Sequence, residues 1–285
     1  MDVNEISCIA VKKLISEYFE DLGGSSHLGD ITSRHLINKN LNVNAIITNR
    51  EEIVLCGEFF IKSFLRKKFP KLKYKSNFVD GNKVKKNSNI IEIFGDLKSI
   101  LAIERTILNF IQHLSSISTH TNEFVRLLND SKTKLLDTRK TIIGLRKIQK
   151  YATHIGGAKN HRMGLYDKIL IKDNHIKSIG SISETLTLIE KKKIKNFMIE
   201  CDKFSQVKKC IKSNVNYILL DNMKPKEIVK CIKLKNEFKS KVLFEITGGI
   251  NLKNFKKYCN LGADYISSGK ITNCPKSVDI GLDII

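Results

Sequence analysis

The chain has 285 residues, 41% hydrophobic and 28% charged, with a formal net charge of +21 at pH 7. That length supports one or two domains with a large core, and no run approaches the roughly 18 apolar residues that span a bilayer. The seven cysteines are scattered and odd in number without a C-x-x-C, which argues against a disulfide framework or a zinc site and fits reduced thiols in the cytoplasm.

The positive charge invites a nucleic-acid partner. Lysine, isoleucine and asparagine are abundant throughout, as A/T-rich codons would make them. The lysines of KKKIKNF (191–197) and RKKFPKLKYK (66–75) read as loops and solvated faces. No aromatic RNA-binding motif or finger spacing accompanies them. Neither nucleic acid nor membrane is expected as a partner.

In chain order, MDVNEISCIAVKKLISEYFEDLGG (1–24) has a helical rhythm and lacks the basic start and apolar run of a secretory signal. A turn-rich stretch (20–33) leads to strand-like VNAIITN (43–49) and EIVLCG (52–57). Asp80-Gly81 is a hairpin signal ahead of NIIEIFG (89–95). KSILAIERTILNFIQHLSSIST (98–119) carries apolar residues at helical spacing and reads as a long, mostly buried helix. Residues 1–115 therefore form an α+β sandwich domain, joined by the terminal segment 275–285.

Beyond, over 116–274, the texture alternates. Short apolar strands at 133–137, 168–172, 196–200, 217–221, 242–247 and 265–269 are separated by helical segments at 144–157, 181–193, 203–213, 224–235 and 251–262. That alternation implies parallel strands with right-handed crossovers. The fold class is α/β, and six strands make an incomplete parallel β/α barrel.

Each strand delivers a polar residue at its C-terminal end. TKLLD gives Asp137 and runs into Thr138-Arg139-Lys140; KILIK gives Lys172, NFMIE gives Glu200 and YILLD gives Asp221. VLFEIT passes through Glu245 to Thr247-Gly248-Gly249, and YISSG supplies Ser267 and Ser268 before Gly269 and Lys270. In a parallel barrel these ends gather on one face, where barrel enzymes keep their chemistry. Arg139, Lys140, His161, Arg162 and Lys172 read as a cationic pocket for a polyanion. Glu200 and Asp221 oppose that anion unless they hold Mg²⁺ or face a developing positive charge. The two glycine loops offer backbone N–H groups to a phosphate. Lys147, Lys168 and His154 read as surface or structural residues, while His175 suits either a helix cap or the site.

At these residues the sequence resembles the quinolinate phosphoribosyltransferase family, the carboxylating nicotinate-nucleotide pyrophosphorylases. DTRKT (137–141) with NHRMGLYDKILIKDNHI (160–176) is the specific signature. EDLG…GDITS (20–33), ERTILNFIQHLSSIST (104–119), GLRKIQKYA (144–152), IECD (199–202), LLDNM (219–223), TGGIN (247–251) and VDIGLDI (278–284) extend it over nearly the whole chain. The resemblance implies transfer of phosphoribose from 5-phosphoribosyl-1-pyrophosphate to quinolinate, giving nicotinate mononucleotide, pyrophosphate and CO₂, with Mg²⁺ required. It implies that Arg105, Arg139, His161, Arg162 and Lys172 bind quinolinate. Thr138, Lys140, Lys172, Glu200, Asp221, Thr247, Gly248, Gly249, Ser268, Gly269 and Lys270 would bind the phosphoribosyl donor, with Glu200 and Asp221 toward the metal. Arg105 would reach the neighbouring subunit's pocket, making a homodimer obligatory, alone or within a larger homo-oligomer.

Departures from the family pattern are GSSHL (24–28), which looks like an insertion, Ile142-Ile143, Gly156-Gly157-Ala158 and Thr247. None removes a charged site residue. Two alternatives carry tests of their own. A nicotinate phosphoribosyltransferase would need fewer cations for its single carboxylate. A basic nucleic-acid binder would show steep salt dependence and no need of Glu200 or Asp221.

Overall fold

The computed structural model describes residues 2–26, 28–129 and 132–285, and the chain divides into two compact units. The first comprises Met1–Asn122, Lys147–Gly156 and Pro275–Ile285; the second comprises Glu123–Arg146 and Gly157–Cys274. Residues 147–156 thus group with the first unit and not with the 116–274 segment that surrounds them in sequence. Within the GSSHL segment, Gly24–Ser26 is a 3₁₀ turn, and His27 lies outside the described residues.

The first unit is built on a four-stranded antiparallel sheet. Its strands are β1 (Asn42–Asn49), β3 (Lys73–Ser76), β5 (Asn89–Asp96) and β12 (Ile280–Ile284), in the order β12-β1-β5-β3. A small pair, β2 (Ile53–Val54) and β4 (Lys83–Val84), lies outside that sheet. The terminal strand enters by pairing Ala45 with Ile284 and Asn49 with Ile280. Helix Val3–Asp21 starts where the Asp2 carboxylate accepts the Asn4 and Glu5 N–H groups. It buries Ile6, Ala10, Val11 and Leu14, a stripe at helical spacing. Helix Leu97–Leu128 is longer than the expected 98–119. Its Ile100, Ile103, Ile107 and Ile111 join the first core, while Phe124 and Leu128 belong to the second.

RKKFPKLKYK is a solvated face and not only a loop: it contains the end of helix Glu58–Lys68 and all of β3, with Arg66, Lys67, Lys73 and Lys75 exposed. One expectation fails here. Asp80-Gly81 does not make a tight hairpin. β3 pairs with β5 across a longer connection that includes β4, and the Asp80 carboxylate instead accepts the N–H groups of Gly57 (2.8 Å) and Glu58 (2.9 Å) at the start of a helix.

The second unit holds six parallel strands: β6 (Lys134–Leu136), β7 (Ile169–Ile171), β8 (Phe197–Cys201), β9 (Tyr217–Asp221), β10 (Leu243–Thr247) and β11 (Tyr265–Ser267). Their order, β6-β11-β10-β9-β8-β7, would close into a barrel if β6 paired with β7. It does not; Lys159 makes a single bridge to Leu136 at that edge. The incomplete barrel expected from six strands is the observed arrangement. Alternation divides each strand. Ile199, Cys201, Ile218, Leu220, Phe244, Ile246 and Ile266 form the core with the helices, and Leu170, Met198 and Leu219 make a smaller cluster. The expected helix at 251–262 shrinks to Leu252–Phe255, and the chain beyond it turns, with Asn260 and Gly262 at positive φ. An unexpected helix, Asp173–Ile179, follows β7.

Candidate active site

The alternation that sends isoleucines outward brings Lys172, Glu200, Asp221, Thr247 and Ser267 to the other side of their strands, and all five line one cleft of about 510 Å³. Thr138, Arg139, Lys140, His161, Arg162, Gly248 and Gly249 line it too. A groove of about 800 Å³ lies at the opposite strand ends, beside Asn196 and Asn216, but its charged walls are lysines and one glutamate without convergent partners. The chemistry belongs to the C-terminal face.

Strand order sorts the rim. Arg139 and Lys140 follow β6, Lys172 follows β7, and His161 and Arg162 lie on the segment between those two edge strands, so the cations gather at the open seam. Glu200 ends β8 and Asp221 ends β9. The hydroxyl and glycine loops follow β10 and β11.

Two loops are locked together at the seam. Asp137, fully buried, accepts the His161 backbone N–H at 2.8 Å and the Asn160 amide at 2.6 Å. Arg146 donates from Nε to Thr141 Oγ1 (3.2 Å) and from a terminal nitrogen to the Met163 carbonyl (3.3 Å). The Arg139 loop and the His161-Arg162 loop are thereby held in one register.

Within that frame, Arg162 is 5% exposed and donates to the Lys168 carbonyl at 2.9 Å. Burial first, then the neighbouring Arg139, hold its guanidinium below the usual arginine range, with Glu200 and Asp167 opposing. The Arg139 Nε is buried without a hydrogen-bond partner, a donor that costs free energy until an acceptor meets it. Two guanidinium groups set side by side, one with an orphaned donor, are stabilised by an anion.

The cleft is not the uncompensated cationic pocket that the sequence suggested. Four carboxylates, Asp173, Glu200, Asp221 and Glu245, face the four fixed cations Arg139, Lys140, Arg162 and Lys172. Lys172 donates to both Glu200 oxygens, at 2.9 and 3.1 Å. His161 Nε2 stands 3.3 Å from Glu245 Oε2, and Asn222 donates to Asp221 at 2.8 Å. Among the described residues no ion pair joins a carboxylate to Lys140 or to either member of the arginine pair.

Gly248 sits at φ +90°, and a Cβ there would come within 2.6 Å of the Asn222 backbone nitrogen. Only glycine fits, which leaves the loop backbone open toward the cleft. Ser268, Gly269 and Lys270 do not line the cleft. The Ser268 hydroxyl donates to the Ile250 carbonyl at 2.7 Å and accepts the Lys270 N–H, and exposed Lys270 lies 3.9 Å from the Cys274 sulfur. Arg105 belongs to the first unit, exposed, 3.6 Å from Glu104. His175 caps its helix, its Nδ1 accepting the Lys172 N–H at 2.9 Å. His154 and Lys168 are exposed, and Lys147 pairs with Glu5.

Asn222 and Asp173 were missed as site residues. Glu245 and Ser267 stood among the strand-end polar residues but received no role, although the period of two brings both to the cleft: Glu245 precedes Thr247 by two positions on β10, and Ser267 ends β11.

Residues 30–115 match the family model described as quinolinate phosphoribosyl transferase, N-terminal domain, and residues 117–283 match that of the C-terminal domain. The chain is 36% identical over 282 residues to a probable nicotinate-nucleotide pyrophosphorylase (carboxylating) of Bacillus subtilis, covering 97% of this chain and 94% of that one. A solved nicotinate-nucleotide pyrophosphorylase from Ehrlichia chaffeensis superposes with a TM-score of 0.88 at 39% identity, covering 100% and 99% of the two chains. One from Francisella tularensis gives 0.88 at 35% identity, covering 98% and 97%.

Proposed function

The chain belongs to the quinolinate phosphoribosyl transferase family and is a decarboxylating phosphoribosyltransferase of NAD biosynthesis; from that premise we propose how its residues divide the work. Arg139 and Arg162 take the two quinolinate carboxylates, with His161 and Lys172 beside them. The observation that carries this reading is the orphaned Arg139 Nε next to the buried, destabilised Arg162 guanidinium. Held there, the pyridine nitrogen attacks the anomeric carbon of the donor while the bond to pyrophosphate breaks. Positive charge develops on the ribose, where Glu200 and Asp221 stabilise it. Gly248 and Gly249 present backbone to the 5′-phosphate, with Thr138, Lys140 and Thr247 around the rest of the donor.

The ring nitrogen is then cationic. The bond from C2 to its carboxylate breaks, CO₂ leaves, the electron pair stays on C2 as an ylide, and a proton from water completes nicotinate mononucleotide. Arg139 and Arg162 tolerate the ylide's carbanion, so no separate base is invoked.

Among the described residues no group of three or more His, Cys, Asp or Glu is placed to hold a metal by itself. Two carboxylates facing a diphosphate suit Mg²⁺, which commonly binds through one or two carboxylates plus substrate phosphates. Glu200 and Asp221 would hold it on the protein side. When bound, the ion neutralises the departing pyrophosphate.

Arg105 is exposed, with its sequence neighbour Glu104 as its ion-pair partner among the described residues, and it is assigned to the neighbouring subunit's cleft in a homodimer. Mixing Arg105→Ala with Arg139→Ala protein, each inactive alone, then restores about a quarter of the sites, since half the dimers are mixed and one site in each is intact. No helix among the described residues is long and apolar enough to cross a membrane, and four buried cysteines suit a reducing, cytoplasmic setting.

Purified protein with quinolinate, phosphoribosyl pyrophosphate and Mg²⁺ should form nicotinate mononucleotide and CO₂ in equal amounts, and chelation of the metal should stop both. Turnover of nicotinate in place of quinolinate, without CO₂, would contradict the assignment.

A further inference from the structure

Glu245 is a carboxylate at the wall of an anion-binding cleft, 1% exposed, where its charge should repel the substrate. Its surroundings give it another task. Tyr217 donates its hydroxyl to Glu245 Oε2 at 2.7 Å, and Tyr217 is stacked on Tyr265 with ring centroids 5.7 Å apart. His161 Nε2 lies 3.3 Å from the same oxygen. The opposite ring nitrogen, His161 Nδ1, accepts the backbone N–H of Arg162 at 2.7 Å. An accepting Nδ1 carries a lone pair, so the neutral ring keeps its proton on Nε2, turned toward Glu245. Both nitrogens of His161 are therefore engaged by the protein, and protonating Nδ1 would break the contact with Arg162.

We infer that Glu245 is a positioning residue for the dicarboxylate end of the site: anchored by Tyr217, it fixes the tautomer and tilt of His161, and His161 in turn fixes the backbone of Arg162. The inference rests on the reading that Arg162 binds quinolinate. It makes His161 a link between Glu245 and Arg162, and it explains why a carboxylate is tolerated beside an anion. Its charge is shared with two hydrogen-bond donors, the Tyr217 hydroxyl and His161 Nε2.

The test compares Glu245→Gln with Arg162→Lys in the full-length protein, measuring quinolinate and phosphoribosyl pyrophosphate affinities separately and reading the His161 tautomer from ring ¹⁵N shifts. Wild type should show the Nε2–H tautomer. Glu245→Gln, nearly isosteric, should weaken quinolinate about tenfold, leave the phosphoribosyl donor within about twofold, and lose the single tautomer. If Glu245→Gln does not fold, Tyr217→Phe frees the same carboxylate from its anchor and should weaken quinolinate several-fold with the donor unchanged. Should Arg162→Lys bind quinolinate like wild type, the reading of Arg162 fails and the inference falls with it. Should Arg162→Lys weaken quinolinate while Glu245→Gln does not, only the positioning role is overturned. Equal weakening of both substrates by Glu245→Gln, or an Nδ1–H tautomer in wild type, would overturn it as well.

Discussion

Two clusters of polar side chains, one in each unit, use the same residue types to opposite ends. In the first unit the Asp80 carboxylate is enclosed by the Gly57 and Glu58 N–H groups and the Tyr151 hydroxyl, and Tyr74 donates to Glu58 at 2.6 Å. Burial pushes Asp80 up to about 6 and raises both tyrosines. Every one of these groups has a partner, so the cluster is complete and serves the fold. In the second unit, pairing stops short of completion: Lys172 has Glu200 and His161 has Glu245, but Arg139 keeps a buried donor unsatisfied beside Arg162. Charge alone does not mark a functional site. The buried hydroxyls of Thr106 and Thr121 also lack partners, so what marks the cleft is a charged donor left without an acceptor beside a second guanidinium.

The contrast breaks most readily at Arg139. Replacing it with lysine removes the orphaned Nε and the bidentate fork. kcat/KM for quinolinate should fall at least about 100-fold with the melting temperature unchanged, since the folded protein makes no bond through that atom. A parallel loss of melting temperature would mean that Arg139 serves the fold as Asp80 does. Next in size is Gly248→Ala. The left-handed φ and the approach to Asn222 should raise KM for phosphoribosyl pyrophosphate roughly tenfold, from a strain of about 1–2 kcal/mol. Steady-state kinetics with quinolinate saturating would show it.

Asp80 sharpens the other side. A carboxyl whose folded value lies near 6, above its ordinary 3.8, holds a proton in the native state that the unfolded chain has released. Its burial therefore costs nothing below about pH 4, and stability falls as pH rises through the window to 6, by at most about 3 kcal/mol. Urea unfolding of wild type and Asp80→Asn should give a stability difference that shifts toward the variant by that amount between pH 4 and 7. A difference independent of pH would remove the cluster from the comparison. The smallest effect belongs to an exposed pair outside both clusters: Lys75→Ala, which breaks an ion pair with Glu92, should leave the midpoint of urea unfolding unchanged within error, because solvent screens the pair.

Much of this arrangement was legible in the sequence because parallel strands are simple objects. An apolar run ending in a charge at 172, 200 and 221 fixes both the strand and the direction in which its end points, and six apolar runs ending in charged or hydroxyl residues suffice for an open barrel. Arg139 and the glycines of the cleft follow from their place after those strands, whereas His161 and Arg162 precede β7 and are legible only as part of the cationic stretch around it. What escaped depended on pairing. Nothing local distinguishes Asp80 in a hairpin from Asp80 capping a helix that begins more than twenty residues earlier, and the carboxylates of the cleft looked like bare opposition to an anion until Lys172 and His161 were seen beside them. Helix Glu58–Lys68 and β3 were hidden because lysine-rich faces look the same on a loop and on a solvated element. Ser268 and Lys270 stand at a strand end as expected, but their side chains turn to Ile250 and Cys274, which no period of two reveals.

The central claim is that the unsatisfied arginine pair forms a dicarboxylate site. Calorimetric titration of wild-type and Arg139→Lys protein with quinolinate and with nicotinate tests it directly. Wild type should bind quinolinate about 10–100-fold more tightly than nicotinate, the worth of one further charge-assisted carboxylate contact of about 1.5–3 kcal/mol, and Arg139→Lys should erase most of that preference. Equal affinity of wild type for the two acids, or a preference that survives in Arg139→Lys, would contradict it.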